Sequence, residues 1–171
     1  GAYSIAGDWQ ENVVAPSISQ EVENRIEECE SGSCDPLPSG GSIPSIGDDE
    51  LYWADGDHTF NNDVTFDTGG DNLTAVIDGE LTFKGDIDID GNGSVTLYVR
   101  EGVTQTGNQD VNTGGSADQL TTMVHTKADS VDLNGNIQYT GVMYAPKSTV
   151  KVGGNTDVKG VIVGETVDLH G

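Results

Sequence analysis

The chain has 171 residues, and its 29 Asp and Glu against 7 Lys and Arg give a formal net charge of −22. Phosphate recognition needs clustered Lys and Arg, so nucleic acid and anionic membrane surfaces are excluded as expected partners. Regular alternation of Val, Ile and Leu with turn residues excludes disorder, the other ordinary source of such a charge. A folded chain with this balance fits a salt-rich medium, because in molar salt the Debye length falls to about 3 Å and surface self-repulsion is screened.

Residues 1–47 read as an N-terminal region distinct from the rest of the chain. Ala2-Tyr3-Ser4-Ile5 is a short strand-like piece. Pro16 precedes Ser17, a good N-cap, and Gln20 stands three residues on, as in a capping box. Ile18, Val22, Ile26 and Cys29 share one helical face, which predicts an amphipathic helix over about residues 17–30. Cys29 and Cys34 flank Gly32 in Cys-Glu-Ser-Gly-Ser-Cys, a loop short enough to close into a disulfide. Two Cys with no nearby His make a poor zinc site. A disulfide in turn implies an oxidising, extracellular setting. Residues 35–47, rich in Pro, Gly and Ser, read as a linker.

Residues 48–171 read as an all-β parallel β-solenoid. Short apolar alternations at Val64/Phe66, Leu81/Phe83, Ile87/Ile89 and Val95/Leu97/Val99 are separated by Gly, Asn and Asp. An internal repeat sets the architecture. Met123-Val124-His125, Val142-Met143-Tyr144 and Val161-Ile162-Val163 begin 19 residues apart. Gly135-Asn136 maps onto Gly154-Asn155 at the same spacing, and Val131-x-Leu133 onto Val150-x-Val152. Each repeat holds three short strands with turns between them, which suits a three-sided coil. One rung cannot bury its apolar side chains alone, so rungs must stack. The crossover rule predicts a right-handed coil. Residues 104–119 read as an inserted loop.

Several motifs carry weaker chemical signals. Asn72-Leu73-Thr74 and Asn92-Gly93-Ser94 are glycosylation sequons and agree with a cell-surface location. Asp86-Ile87-Asp88-Ile89-Asp90-Gly91-Asn92 resembles the start of a calcium loop but has Leu97 where a bidentate Glu is needed. Its Ile residues alternate with Asp, which favours a strand with an acidic outer face. Trp9, Tyr52 and Trp53 offer rings for stacking on sugars, although packing at the solenoid entrance is the expected role. Asp is so common that pairs of carboxylates arise by chance. No catalytic residue, cofactor or metal is expected. No stretch is long enough to span a membrane.

Charge is unevenly distributed. Residues 120–171 hold five acids and four lysines, whereas residues 1–119 hold the other 24 acids and three bases. The repeat runs to Leu169 with no capping helix or polar cap after it. Solenoids normally need caps, because an open rung leaves strand edges and core exposed. These features predict a subunit of an extracellular filament or pilus-like fibre that assembles with copies of itself head to tail. Val161, Val163, Val167 and Leu169 would form one interface, and Tyr3 and Ile5 would reach into a neighbour. A monomeric domain that binds surface glycans is the alternative, and a carbohydrate-active enzyme the third.

The runs Ala54-Asp55-Gly56-Asp57, Leu97-Tyr98-Val99-Arg100, Gly114-Gly115-Ser116-Ala117-Asp118-Gln119-Leu120, Tyr144-Ala145-Pro146-Lys147-Ser148 and Gly164-Glu165-Thr166-Val167-Asp168-Leu169 resemble an uncharacterised C-terminal domain of haloarchaeal surface proteins. Those proteins often begin with a type IV pilin-like segment. The resemblance implies a structural role at the surface of a halophilic archaeon and supplies no catalytic residue. The rung pattern is also similar to that of bactofilins, which polymerise end to end, a likeness of architecture only.

Overall fold

Strands of a few residues become stable when each lies between two others and alternate side chains share one interior. A computed structural model describes residues 18–45, 50–125 and 130–170, and in it this is how the chain is organised. After helix α1 (Ile18–Glu28) and a wider turn (Cys29–Ser33), all the strands wind into one parallel sheet system. The result is a β-solenoid of about five turns.

The first face stacks β1 (Asp35–Pro36), β3 (Glu50–Ala54), β6 (Asn72–Ile77), β9 (Ser94–Val99) and β12 (Leu120–Val124). It continues into the middle of β14 (Gln138–Gly154) and of β15 (Asp157–His170). The second face stacks β4 (His58–Phe60), β7 (Glu80–Phe83), β10 (Gly102–Gly107) and β13 (Ser130–Gly135), then the last parts of β14 and β15. The third face holds β2 (Gly41–Pro44), β5 (Val64–Asp67), β8 (Ile87–Asp90) and β11 (Asp110–Val111), then the first residues of β14 and β15. Every pairing is parallel, and the two last strands bend around corners without breaking.

Register turns the sequence pattern into columns. Leu81, Val103, Val131 and Val150 lie one above another inside the second face, all fully buried. Ala75, Leu97, Thr122 and Met143 form the matching interior column of the first face. Corners are made by stacked residues too. Asn155 Nδ2 donates to Asn136 Oδ1 and Asn136 Nδ2 to Asn108 Oδ1, each at 2.7 Å. Beside this ladder, Gly107, Gly135 and Gly154 share a column at positive φ. A Cβ on Gly135 or Gly154 would run into the carbonyl oxygen of the glycine below it, so only glycine fits.

Two sequence expectations are corrected by the fold. Residues 35–45, expected as linker, instead supply the first rung through β1 and β2. The expected loop at 104–119 begins later, because β10 extends to Gly107 and β11 follows at Asp110. Helix α1 is described from Ile18 to Glu28 and passes into the wider helical turn at Cys29–Ser33, where Gly32 at φ 90° turns the chain. Pro16, Ser17, Trp9, Tyr3 and Ile5 lie outside the described residues.

Tyr139 sits in the core with its hydroxyl 3.2 Å from Thr122 Oγ1. Burial pushes this phenol up from 10.0 to about 12, with the Thr122 contact pulling slightly the other way. The neutral ring is the form the fold accepts. Its contribution is therefore complete below pH 10 and is lost as pH rises toward about 12, where the unfolded chain ionises first. Chemical denaturation should show roughly 2–3 kcal/mol of alkaline loss from this residue. Tyr139→Phe should flatten the stability profile between pH 10 and 12 by that amount.

Candidate assembly surface

Helix α1 decides which surfaces of the solenoid are free. Along the outside of the first face, Trp53, Val76, Tyr98, Met123, Tyr144 and Val163 stand in one register column. Ile18, Val22, Ile26 and Cys29, the four residues of the predicted apolar helical face, pack on the part of it from Trp53 to Tyr144. The helix thus crosses the strands, touching β12, β9 and β6, and the Cys29–Ser33 turn reaches β3. The Cys29–Cys34 disulfide closes the loop at this point (Cα–Cα 4.9 Å) and aims the chain into β1.

Polar contacts hold the helix in register. Tyr98 Oη donates to Glu21 Oε1 at 2.6 Å, and burial together with this bond pushes the phenol up to about 12. Arg100 Nη2 donates to Glu23 Oε2 at 2.7 Å while Nη1 meets Asp78. The buried His125 brings Nε2 within 3.3 Å of Glu23 Oε1. Burial raises the Asp78 carboxyl above its ordinary range, with Arg100 opposing. Arg100 is itself held high: burial would lower it, but the Glu23 bond and nearby carboxylates outweigh that. Charges from helix and solenoid therefore form a clasp, and each of them is engaged.

The two ends of the coil differ. At the first rung, Leu37 and Ile43 are buried, and Tyr52 Oη donates to the Pro44 carbonyl at 2.6 Å. Leu37, Gly41 and Ser45 donate their N–H groups to the second rung, at 2.8, 2.9 and 2.7 Å. In extended chain alternate N–H groups point oppositely, so Pro36, Pro38 and Pro44 occupy positions whose N–H would point away from the solenoid. Proline has no such donor, so these three positions offer a neighbouring strand no N–H, one of the devices of protected edge strands.

The last described rung has a neighbouring strand on one side only. Strand β15 pairs with β14 alone among the described residues. Val167 and Leu169 continue the interior columns of Val150 and Val152 but are 42% and 50% exposed, and Val161 is 51% exposed. These three are the exposed large hydrophobics of the described chain. Val163 is half-buried, and Ile162 packs partly against the core. The expected interface residues Val161, Val163, Val167 and Leu169 are thus brought together on one strand edge.

Other sequence candidates resolve into structural roles. The calcium-like run lies in β8 and its turn, with Ile87 buried and Ile89 packed on the core while Asp88 and Asp90 are exposed. Asp86 Oδ1 accepts the Asp110 N–H at 2.8 Å, and Asp63 Oδ1 accepts that of Asp86 at 3.0 Å, an acidic corner ladder. Tyr52 points into the core and Trp53 packs beneath α1, so neither offers a free ring to a sugar. Asn72 and Asn92 are exposed, and Asn72 Oδ1 accepts from Ser94 Oγ of the neighbouring rung at 2.8 Å. No group of three His, Cys, Asp or Glu able to hold a metal occurs among the described residues. No described helix is long and apolar enough to cross a membrane. The clasp is not legible in the sequence, because Glu23, Asp78, Arg100 and His125 are far apart along the chain and only rung register unites them.

The helix contact is testable. Val22→Asp places a carboxylate in a fully buried site at a cost of about 3 kcal/mol or more. Circular dichroism should lose its helical component, and limited trypsin digestion should cut at Arg25, while the β signal persists.

No curated protein and no solved structure matches this chain. With a solenoid that occupies nearly every described residue, the chain belongs over residues 2–171 to the family described as a domain of unknown function, DUF7305.

Proposed function

We propose that this chain is a structural subunit of the cell exterior in a salt-rich environment, and that it associates with copies of itself through the β15 edge of the solenoid. The observation that carries this reading is the β15 edge: among the described residues it pairs on one side only and exposes Val161, Val167 and Leu169, whereas the first rung sets Pro36, Pro38 and Pro44 along its edge. Exposed strand edges pair with other chains unless something prevents it, and residues 161–163 of β15 carry no proline or bulge to do so.

Charge supports the same surface. A chain of net charge −22 repels its own copies, but residues 120–171 hold five acids against four lysines. That half is where two copies meet with least repulsion. The extracellular placement is supported by the Cys29–Cys34 disulfide and by the exposure of Asn72 and Asn92 at their sequons. A surface fibre of a halophilic archaeon is the setting this proposal favours. Against the glycan-binding alternative stands the engagement of Tyr52 and Trp53 in packing.

Light scattering and electron microscopy in molar salt test the proposal. The wild-type chain should exceed monomer mass and grow with concentration. A variant with Val167→Asp and Leu169→Asp should stay monomeric with little loss of thermal stability, because both side chains are already about half exposed. A single monomeric wild-type species at every concentration would refute the reading.

A further inference from the structure

The sequence of β15 itself determines which surface it meets. On the first face β15 stays in register with β14 over Gly160-Val161-Ile162-Val163-Gly164, preceded by Lys159 and followed by Glu165 at the register shift. Read from Ile162 outward, the two halves match in residue type: Val against Val, Gly against Gly, and Lys against Glu. Lys159 and Glu165 are both exposed. A strand with this symmetry is complementary to itself when run antiparallel about a two-fold axis through Ile162. That axis places Val161 opposite Val163 of a second copy and brings Lys159 to the end of the paired segment where the second copy's Glu165 lies, with the reciprocal contacts generated by symmetry.

Rotation about an axis perpendicular to the solenoid reverses the strand direction of the second copy, so two β15 edges necessarily meet antiparallel. This arrangement joins the two interiors through Ile162 and covers Val161 on each copy. It also gives both edges full sets of N–H donors, since residues 160–164 contain no proline. The competing arrangement sets β15 on the first rung of the next copy. There Pro36, Pro38 and Pro44 supply no N–H, and β15 carbonyls facing them would be buried without partners, at about 1–3 kcal/mol each. The Lys residues near β15 would gain from the acidic first rungs, but exposed ion pairs contribute about 1 kcal/mol or less and are screened in salt. Backbone satisfaction outweighs them.

We infer that two copies join tail to tail, β15 to β15, as a closed two-fold pair with a continuous core. The inference rests on the self-association proposed above and names its partner surface. It replaces the head-to-tail contact expected from sequence with an isologous one, so that growth beyond a pair requires a different surface.

Two variants test it by disulfide cross-linking and mass measurement. Val161→Cys mixed with Val163→Cys should give a covalent dimer under mild oxidation, in several-fold excess over either variant alone. At moderate ionic strength, Lys159→Glu should weaken the pair about tenfold, as should Glu165→Lys, and the double exchange should restore it. Association with no cross-link between positions 161 and 163, but with one between Val161→Cys and Asp35→Cys, would overturn the tail-to-tail pair and leave self-association standing. Monomers under all conditions would overturn both.

Discussion

Backbone hydrogen bonding from rung to rung is the constraint on which this molecule depends. A solenoid strand satisfies its N–H and C=O groups only through the strands above and below it, so the interior of the stack is secure and the two ends are not. The packed columns, the stacked glycines and the asparagine and aspartate corner ladders all repeat the same register. Each is a local expression of one stacking rule, and each leaves its terminal member incomplete. Asn155 donates down its ladder, and its Oδ1 accepts from no described residue.

The two ends are treated differently, and this gives the fold a direction. Three prolines remove outward-pointing donors from the first rung, while helix α1 occupies the side of the coil rather than either end. The apolar column beneath the helix is thereby removed from contact with other molecules. Among the described residues the exposed large hydrophobics, Val161, Val167 and Leu169, all lie on β15. Net charge reinforces the asymmetry, since acids concentrate in the rungs farthest from that strand. High salt screens the residual repulsion and strengthens burial of apolar groups, so the same conditions that suit the composition also favour contact at this end.

Much of the fold is legible in the sequence because part of the winding steps by 19, as from Val131 to Val150, although the expected match of Met123 with Val142 is two residues out, since Thr121 is the partner of Val142 and Met123 that of Tyr144. Val142 pairs with Val161 at a step of 19, and the repeat is a direct consequence. Earlier rungs step by 22, 25 and 21 residues, as between Thr74, Thr96, Thr121 and Val142, which hides the repeat while leaving the period-two alternation visible. The first rung reads as linker because Pro and Gly usually punctuate loops. In the fold the same residues line an edge, and only the direction of each N–H distinguishes the two uses. The apolar helix face is legible from its spacing, since Ile18, Val22, Ile26 and Cys29 are all buried. Its docking site is not, because the column of Trp53, Val76 and Tyr98 exists only once rungs are in register. The interface residues of β15 are legible as apolar positions, but the symmetry around Ile162 acquires meaning only when the strand is seen to be an edge.

The central claim is that the β15 edge is the surface through which copies meet. Amide hydrogen exchange at increasing protein concentration tests it most directly. Protection of the Ile162 amide, which alternates outward from β14, should rise with concentration, while that of Ser42, which alternates outward from the first rung, stays unchanged. Concentration-independent exchange along β15, or protection gained at the first rung instead, would contradict it.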